Sequence, residues 1–219
     1  MKVELVANIL DANTAIAGQN RERFAQSGTF VVNLMSSPGA GKTTILEETL
    51  GKLKDRIAVG VIEGDICTTR DADRIAKRGV PVVQINTSGT CHLDANMIAS
   101  AVTKLGDQKF DLIVVENVGN LVCPAEFDLG EDIKVMVISV TEGNDKPMKY
   151  PLMFRESAAI LVNKIDLLPY TDFDPEELKR DVSLINPHAK LFFVSAKTGE
   201  NMNEWTNWLL EQIMAKMNN

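Results

Sequence analysis

Basic charge, cysteine and long apolar runs are all scarce in this chain, and each scarcity excludes something. Its 30 acidic residues outnumber 23 basic ones, giving a formal net charge of −7. That balance argues against nucleic-acid and anionic-membrane surfaces, which select clustered Lys and Arg. Nowhere do eighteen apolar residues run together, and Met1 to Gly18 has too many polar interruptions for a secretory leader, so a cytoplasmic protein is expected. Three cysteines, Cys67, Cys91 and Cys123, form an odd set without an export signal, which makes a disulfide framework improbable and leaves metal or redox chemistry. No low-complexity or Pro/Ser-rich stretch divides the 219 residues, 45% of them hydrophobic, so one domain is expected over 1–219.

What is present begins with Ser36-Ser37-Pro38-Gly39-Ala40-Gly41-Lys42-Thr43-Thr44, directly after the apolar run Phe30 to Met35. A strand feeding a glycine-rich turn and then a helix is the order a phosphate-binding loop needs. Its glycines let backbone amides turn toward an anion, Lys42 reaches the β and γ phosphates, and Thr43 offers its hydroxyl to Mg²⁺. Ser36 stands where the usual pattern has its first glycine. A helix follows, with Leu46, Leu50 and Leu53 at helical spacing.

Further apolar runs of strand length cover Ile57 to Ile62, Val80 to Ile85, Leu112 to Val115, Val135 to Val140, Ala158 to Val162 and Leu191 to Val194. Unbroken rather than alternating hydrophobicity implies strands covered on both faces. The expected fold is therefore α/β: a three-layer P-loop NTPase with a mostly parallel sheet of about seven strands, helices on both faces, and ligands beyond the carboxyl ends of the strands. Residues 1–28, Asn13 to Gln26 among them, read as a leading helical extension, and 29–219 as the G domain. Trp205, Leu209, Ile213 and Met217 describe an amphipathic closing helix whose tryptophans suit core packing better than base stacking.

The base is expected to be guanine. Asn163-Lys164-Ile165-Asp166 follows the run to Val162 and matches the N-K-x-D element. A carboxylate at Asp166 accepts from the N1 hydrogen and 2-amino group of guanine, whereas adenine has neither donor there. Asn163 ties neighbouring loops together and Lys164 lays its stem along the base. Ser195-Ala196-Lys197, after Leu191 to Val194, resembles the loop that offers a backbone amide to guanine O6.

Two acidic strand ends lie between these motifs: Glu63-Gly64-Asp65 after Ile62, and Glu116-Asn117-Val118-Gly119 after Val115. Mg²⁺ keeps several waters and needs only one or two carboxylates, so Asp65 joins Thr43, with Glu116 direct or through water. Asp71 is a weaker candidate beside a surface-helix reading of Asp71, Asp73 and Arg74. Glu116-x-x-Gly119 has the spacing of the D-x-x-G switch whose glycine senses the γ-phosphate, with Glu for Asp. Asn120 stands where a glutamine would orient the attacking water, so slow intrinsic hydrolysis is expected. Lys146 or Lys149 could complete the site in trans, although the reading as simple surface lysines is preferred.

Cys91-His92 is expected to begin a helix after Ser88-Gly89-Thr90, and Cys123-Pro124 lies four residues past Gly119. Four residues span at most roughly 14 Å, which ties Cys123 mechanically to the switch glycine. Thiolate and imidazole suit Zn²⁺, Ni²⁺ or Cu rather than Mg²⁺, and a cysteine at a helix N-terminus ionises more readily. Three ligands do not close a tetrahedral site; two facing subunits would pool four thiols and two imidazoles. The other reading is that these cysteines are small hydrophobes. Cys67 and His188 receive a structural reading.

Taken together, these segments resemble the hydrogenase nickel-incorporation GTPases called HypB. The likeness is carried by Ser36 to Thr44, Glu63 to Asp65, Thr90 to Leu93, Glu116 to Pro124, Glu142 to Pro151, Asn163 to Asp166 and Ser195 to Lys197. It implies a Mg²⁺-dependent GTPase that binds GTP and GDP, helps load nickel into the hydrogenase large subunit with the accessory protein HypA, and forms a homodimer around nucleotide and metal. Ser in place of the first loop glycine is ordinary in that family, and Cys91, His92 and Cys123 become its Ni²⁺ or Zn²⁺ ligands. Some members also carry an N-terminal cysteine motif or a histidine-rich stretch; Met1 to Phe30 has no Cys or His, so nickel storage is not expected. Alternatives are a metallochaperone GTPase of the urease-accessory or cobalamin-mutase kind, or a GTP-gated interaction switch with structural cysteines. A phosphotransferase is disfavoured because no acceptor-site residues are evident.

Overall fold

The computed structural model describes residues 4–65 and 69–217, with side chains from residue 10 onward. Cys67 lies outside the described residues. In chain order the elements are α1 (Glu4–Ser27), β1 (Phe30–Ser36), α2 (Lys42–Leu53), β2 (Val59–Asp65), α3 (Arg70–Ala76), β3 (Val82–Asn86), α4 (Ala95–Lys104), β4 (Leu112–Gly119), α5 (Cys123–Glu126), β5 (Ile133–Ser139), α6 (Lys146–Lys149), α7 (Pro151–Glu156), β6 (Ser157–Asn163), α8 (Pro175–Ile185), β7 (Lys190–Phe193) and α9 (Met202–Met217). Short 3₁₀ turns follow β5 and β6.

All strand pairings are parallel, and the sheet order is β3-β2-β4-β1-β5-β6-β7. Each of the seven apolar runs became a strand. Successive residues of one strand point to opposite faces, and here both faces are apolar. Val32, Leu34, Val114, Val137 and Leu161 enter a core under α2 and α9, while Val31, Met35, Val115, Met136 and Val162 enter cores on the other face. That is why the runs show no alternation. Trp205 is buried in the first core and donates from Nε1 to Thr49 Oγ1 on α2 at 3.0 Å, as the core reading requires. The leading helix, Glu4–Ser27, lies within the expected extension 1–28 and docks through Phe24 onto a core that includes Leu93 and Ile98.

β1 is the central strand, fourth from either edge: it sits between β4, which leads to β2 and β3 on one side, and β5, which leads to β6 and β7 on the other. Ligand crevices in such sheets open where the winding changes direction, at the carboxyl ends of the strands. The turns after β1, β4 and β6 all meet there.

Candidate nucleotide and metal site

The turn after β1 delivers the chain into α2, whose N-cap Gly41 has φ 96°, a left-handed conformation open to glycine. A Cβ there would also meet Asn163 Nδ2 at 2.5 Å. Asn163 is buried and does tie loops together: its Nδ2 donates to Ala40 O at 2.9 Å and its Oδ1 accepts from Ala196 N at 3.1 Å. Lys164, itself left-handed at φ 63°, donates from Nζ to Gly39 O at 2.7 Å. Ser195 Oγ donates to Asp166 Oδ1 at 2.6 Å, holding that carboxylate at the loop mouth. The phosphate loop (Pro38 to Thr44), the N-K-x-D residues and Ser195-Ala196 therefore form one hydrogen-bonded unit, with Lys197 exposed beside it.

A cleft of about 500 Å³ is lined by Ser36 to Gly39, Gly41 to Thr44, Glu63 to Asp65, Asp71, Arg74, Val118 and Gly119. The acids are not beyond the strands, as the sequence suggested, but on them: β2 runs to Asp65 and β4 to Gly119, because the ladder continues through both segments. Gly119 pairs with Ser36 across a bulge, which seats the switch glycine against the phosphate loop. Asp71 and Arg74 also face the cleft rather than only solvent. The Arg74 guanidinium donates to Thr44 Oγ1 (3.1 Å), Glu47 Oε2 (2.5 Å) and Asp71 Oδ1 (3.0 Å).

Glu116 is fully buried, and its Oε1 accepts from both Lys42 Nζ (3.1 Å) and Thr43 Oγ1 (2.6 Å). Glu63, 3% exposed, is its register partner on the adjacent strand, a second carboxylate the sequence reading left without a role. Only the strand order β2-β4, which skips β3, brings the two acids together. Burial, with the Glu116 and Asp65 charges adding to it, pushes the Glu63 carboxyl up to about 8. Glu63 Oε2 and Glu116 Oε2 are buried and lack hydrogen-bond partners among the described residues. Two such oxygens on register partners, with Thr43 Oγ1 bonded to the other Glu116 oxygen, fit a hard divalent cation.

The Glu63 proton has a measurable sign. Folding takes up this proton between the ordinary pKa of 4.5 and the folded value near 8. Its stabilisation is whole below the lower value and is lost as pH rises through the upper one. Without Mg²⁺ or nucleotide, Glu63→Gln should stabilise the chain at pH 8 by about 2 kcal/mol, roughly 4–8 °C in Tm, and flatten the pH profile across that window. Thermal melts at pH 5 and pH 8 check it; equal gains at both would count against a protonated Glu63.

On the same edge of the sheet, Cys91 Sγ and Cys123 Sγ lie 2.8 Å apart, and Cys91 Sγ is 3.7 Å from His92 Nδ1. One ligand atom from each of Cys91, His92 and Cys123 falls within 4.8 Å of the others. Cys91-His92 does not begin a helix, however. Leu93 is buried, and Asp94 caps α4 by accepting from Met97 N at 2.8 Å, so the helix starts at Ala95 and the ligands occupy the loop before it. Nor is Cys123 an acidified thiol: the hydrogen bond it shares with Cys91, together with burial, pushes it up to about 11. A bound cation would reverse that sign, since coordinated thiols are deprotonated. Burial lowers the His92 pKa, which keeps the imidazole neutral and able to ligate, and its ring stacks on Phe127 at 3.8 Å.

Two asparagines connect this cluster to the switch strand. Asn117, fully buried on β4, accepts from Leu93 N at 3.1 Å and donates to Asn33 Oδ1 on β1 at 3.1 Å. Asn120, just past Gly119, accepts from Val122 N (2.7 Å) and Cys123 N (3.2 Å). Sequence spacing indicated the Cys123 link but not the Asn117 link. His188 lies away from the site, on the loop before β7. Lys149 pairs with Asp145 on the surface, and Lys146 lies 6.0 Å from the Tyr150 ring centroid.

A central β1 turn cradled by a lysine and threonine, backed by N-K-x-D and S-A-K loops on the same sheet edge, defines a P-loop GTPase. The family model for the CobW/HypB/UreG nucleotide-binding domain matches residues 30–193. The chain is 51% identical over 210 residues to the hydrogenase maturation factor HypB of Escherichia coli K12, spanning 96% of this chain and 72% of that protein. It is 42% identical over 214 residues to the hydrogenase/urease maturation factor HypB of Helicobacter pylori 26695, at 96% and 88% coverage. The crystal structure of HypB from Helicobacter pylori in complex with nickel superposes with a TM-score of 0.89 and 40% identity, covering 94% of this chain and 97% of that one. HypB from Archaeoglobus fulgidus gives 0.87 and 39%, at 93% and 100%. The chain belongs to the HypB hydrogenase maturation factors, which are GTPases.

Proposed function

We propose that this GTPase uses GTP binding and hydrolysis to time the handling of a nickel ion at Cys91, His92 and Cys123 during hydrogenase maturation. The observation that carries the reading is the linkage of those ligands to the γ-phosphate side of the cleft. Cys123 follows Gly119 through the Asn120 turn, and Leu93, next to His92, hangs from Asn117 on the same strand. The nickel complex of the Helicobacter pylori relative supports the choice of metal; Zn²⁺ suits the same donors.

Within the cleft, Lys42 and the loop amides of Pro38 to Thr44 hold the phosphates, and Asp166, Lys164, Asn163 and Ser195 to Lys197 hold guanine. Thr43, Glu116 and Asp65 hold Mg²⁺, with Glu63 beside them. The cation, when bound, neutralises charge developing on the transferred phosphoryl group. Gly119 reads the γ-phosphate. With Asn120 in place of a water-orienting glutamine, unassisted hydrolysis is slow.

Three protein ligands leave a coordination position open. A homodimer that closes on nucleotide would supply further thiols and imidazoles, and exposed Val122 (51%) and Met148 (67%) on this edge give it apolar contact area. Lys146 or Lys149 would reach the partner's phosphates from there. A HypA-like accessory protein and the hydrogenase large subunit are the proposed recipients. No described helix is long and apolar enough to cross a membrane.

Equilibrium dialysis of Ni²⁺ against the chain loaded with GDP or with a non-hydrolysable GTP analogue tests the reading. A change in Ni²⁺ affinity of roughly 5- to 150-fold between nucleotides is expected. Identical affinities would leave a GTPase with an unconnected thiol site.

A further inference from the structure

The two segments that bear the thiols and imidazole are gripped from behind by helix α1. Asn13 and Asn20, seven residues apart on one helix face, are 7% and 4% exposed. Neither side chain serves α1 itself. Asn13 Oδ1 accepts from Ala95 N at 2.9 Å, satisfying one of the free amides at the start of α4, and its Nδ2 donates to Asp128 O at 2.8 Å. Asn20 Nδ2 donates to Ala95 O at 2.8 Å and to Leu129 O at 3.0 Å. Each asparagine thus bridges the Cys91-His92 segment, which ends at Ala95, to the Cys123 segment, which ends at Asp128-Leu129.

The contact is close as well as polar. Gly130 has φ +88°, and a Cβ there would stand 2.6 Å from Ala17 O and 2.7 Å from Asn20 Cβ. Arg21 adds a two-pronged hydrogen bond to both Asp128 carboxylate oxygens, at 2.8 and 2.7 Å. Phe127, the neighbour of the held Asp128, carries the ring that stacks on His92. Fixing Asp128 O therefore fixes the face against which the imidazole lies.

We infer that Asn13 and Asn20 are positioning residues for the metal site: α1 is a strut that sets the spacing of Cys91 and His92 from Cys123 and the orientation of the His92 ring. The inference rests on the metal-binding reading above. Buried amides that orient ligand-bearing backbone act as outer-shell supports, whose loss typically costs 10- to 100-fold in metal affinity.

Asn13→Ala and Asn20→Ala, each in the full chain, should lower Ni²⁺ affinity by roughly 10- to 100-fold at unchanged stoichiometry. With Co²⁺ as a probe, they should alter the visible d–d bands while leaving GTP-analogue affinity within about twofold of native. Trp205→Phe removes a buried hydrogen bond on the opposite face of the sheet and serves as the stability control; its Co²⁺ spectrum should stay native even where its Tm falls. If either asparagine variant fails to fold, Arg21→Ala, which trims an exposed arm of the same clamp, should shift Ni²⁺ affinity in the same direction by roughly 2- to 5-fold. Variants that fold and keep native affinity and a native Co²⁺ spectrum would overturn the strut. Should the native chain itself give no cobalt–thiolate charge-transfer band, or keep its band in Cys123→Ala, the metal-binding reading would fall instead.

Discussion

Asp166→Asn is expected to exchange the base that this GTPase accepts. The carboxylate, steadied by Ser195 Oγ at 2.6 Å, offers two acceptors to the two donors on the guanine edge. An amide offers one acceptor and one donor, so it leaves the guanine 2-amino group facing an N–H. Xanthine has a carbonyl at that position and pairs with the amide instead. Because mispaired polar groups in a site built for hydrogen bonding are costly, discrimination can reach about 10⁴. Turnover assays with GTP, XTP and ATP should show GTP use falling by roughly 10²- to 10⁴-fold and XTP use rising toward the native GTP rate. Retained GTP preference would mean that the N-K-x-D loop is not the base site.

Cys123→Ala should remove most of the metal affinity, by at least roughly 100-fold, while GTP hydrolysis in excess Mg²⁺ stays near native. The pH dependence is the sharper signature. In the folded chain the Cys91 hydrogen bond and burial hold the Cys123 thiol at about 11, so near pH 7 a metal must displace its proton to bind. Apparent Ni²⁺ affinity should therefore climb by up to tenfold per pH unit for each proton released, as pH rises from 6 toward 9. In Cys123→Ala that slope should drop by about one proton. Dialysis with a pH indicator reads both quantities. A slope unaffected by the substitution would place the metal on other ligands.

The fold was legible because a buried parallel strand writes itself as an unbroken apolar run, and seven such runs gave seven strands. The glycine-rich, N-K-x-D and S-A-K loops were legible as one cluster because each is a run of residues adjacent in sequence that directly follows a strand. What escaped depends on neighbours in space. Glu63 owes its high pKa first to burial and then to the Glu116 charge, which reaches it only because β2 lies beside β4. Asn117 reads as part of a switch motif, yet its amide reaches Leu93 and Asn33. The start of α4 was misjudged because Ser88-Gly89-Thr90 and Asp94 both resemble caps; burial of Leu93 and the Asp94 bond to Met97 N decide for the later one. Helix α1 was expected as a packed extension, and its two asparagines carried no sequence signal of where their amides would go.

Energetic coupling between the terminal phosphate and the thiol cluster, carried by the end of β4, is what the proposed nickel handling requires. The most direct measurement is the affinity for a non-hydrolysable GTP analogue with and without saturating Ni²⁺, in the native chain and in Asn117→Ala. Linkage requires Ni²⁺ to change analogue affinity by the same factor by which the analogue changes Ni²⁺ affinity. The prediction is a factor of roughly 5 to 150 in the native chain, shrinking toward one in Asn117→Ala. A native affinity indifferent to Ni²⁺ would contradict it.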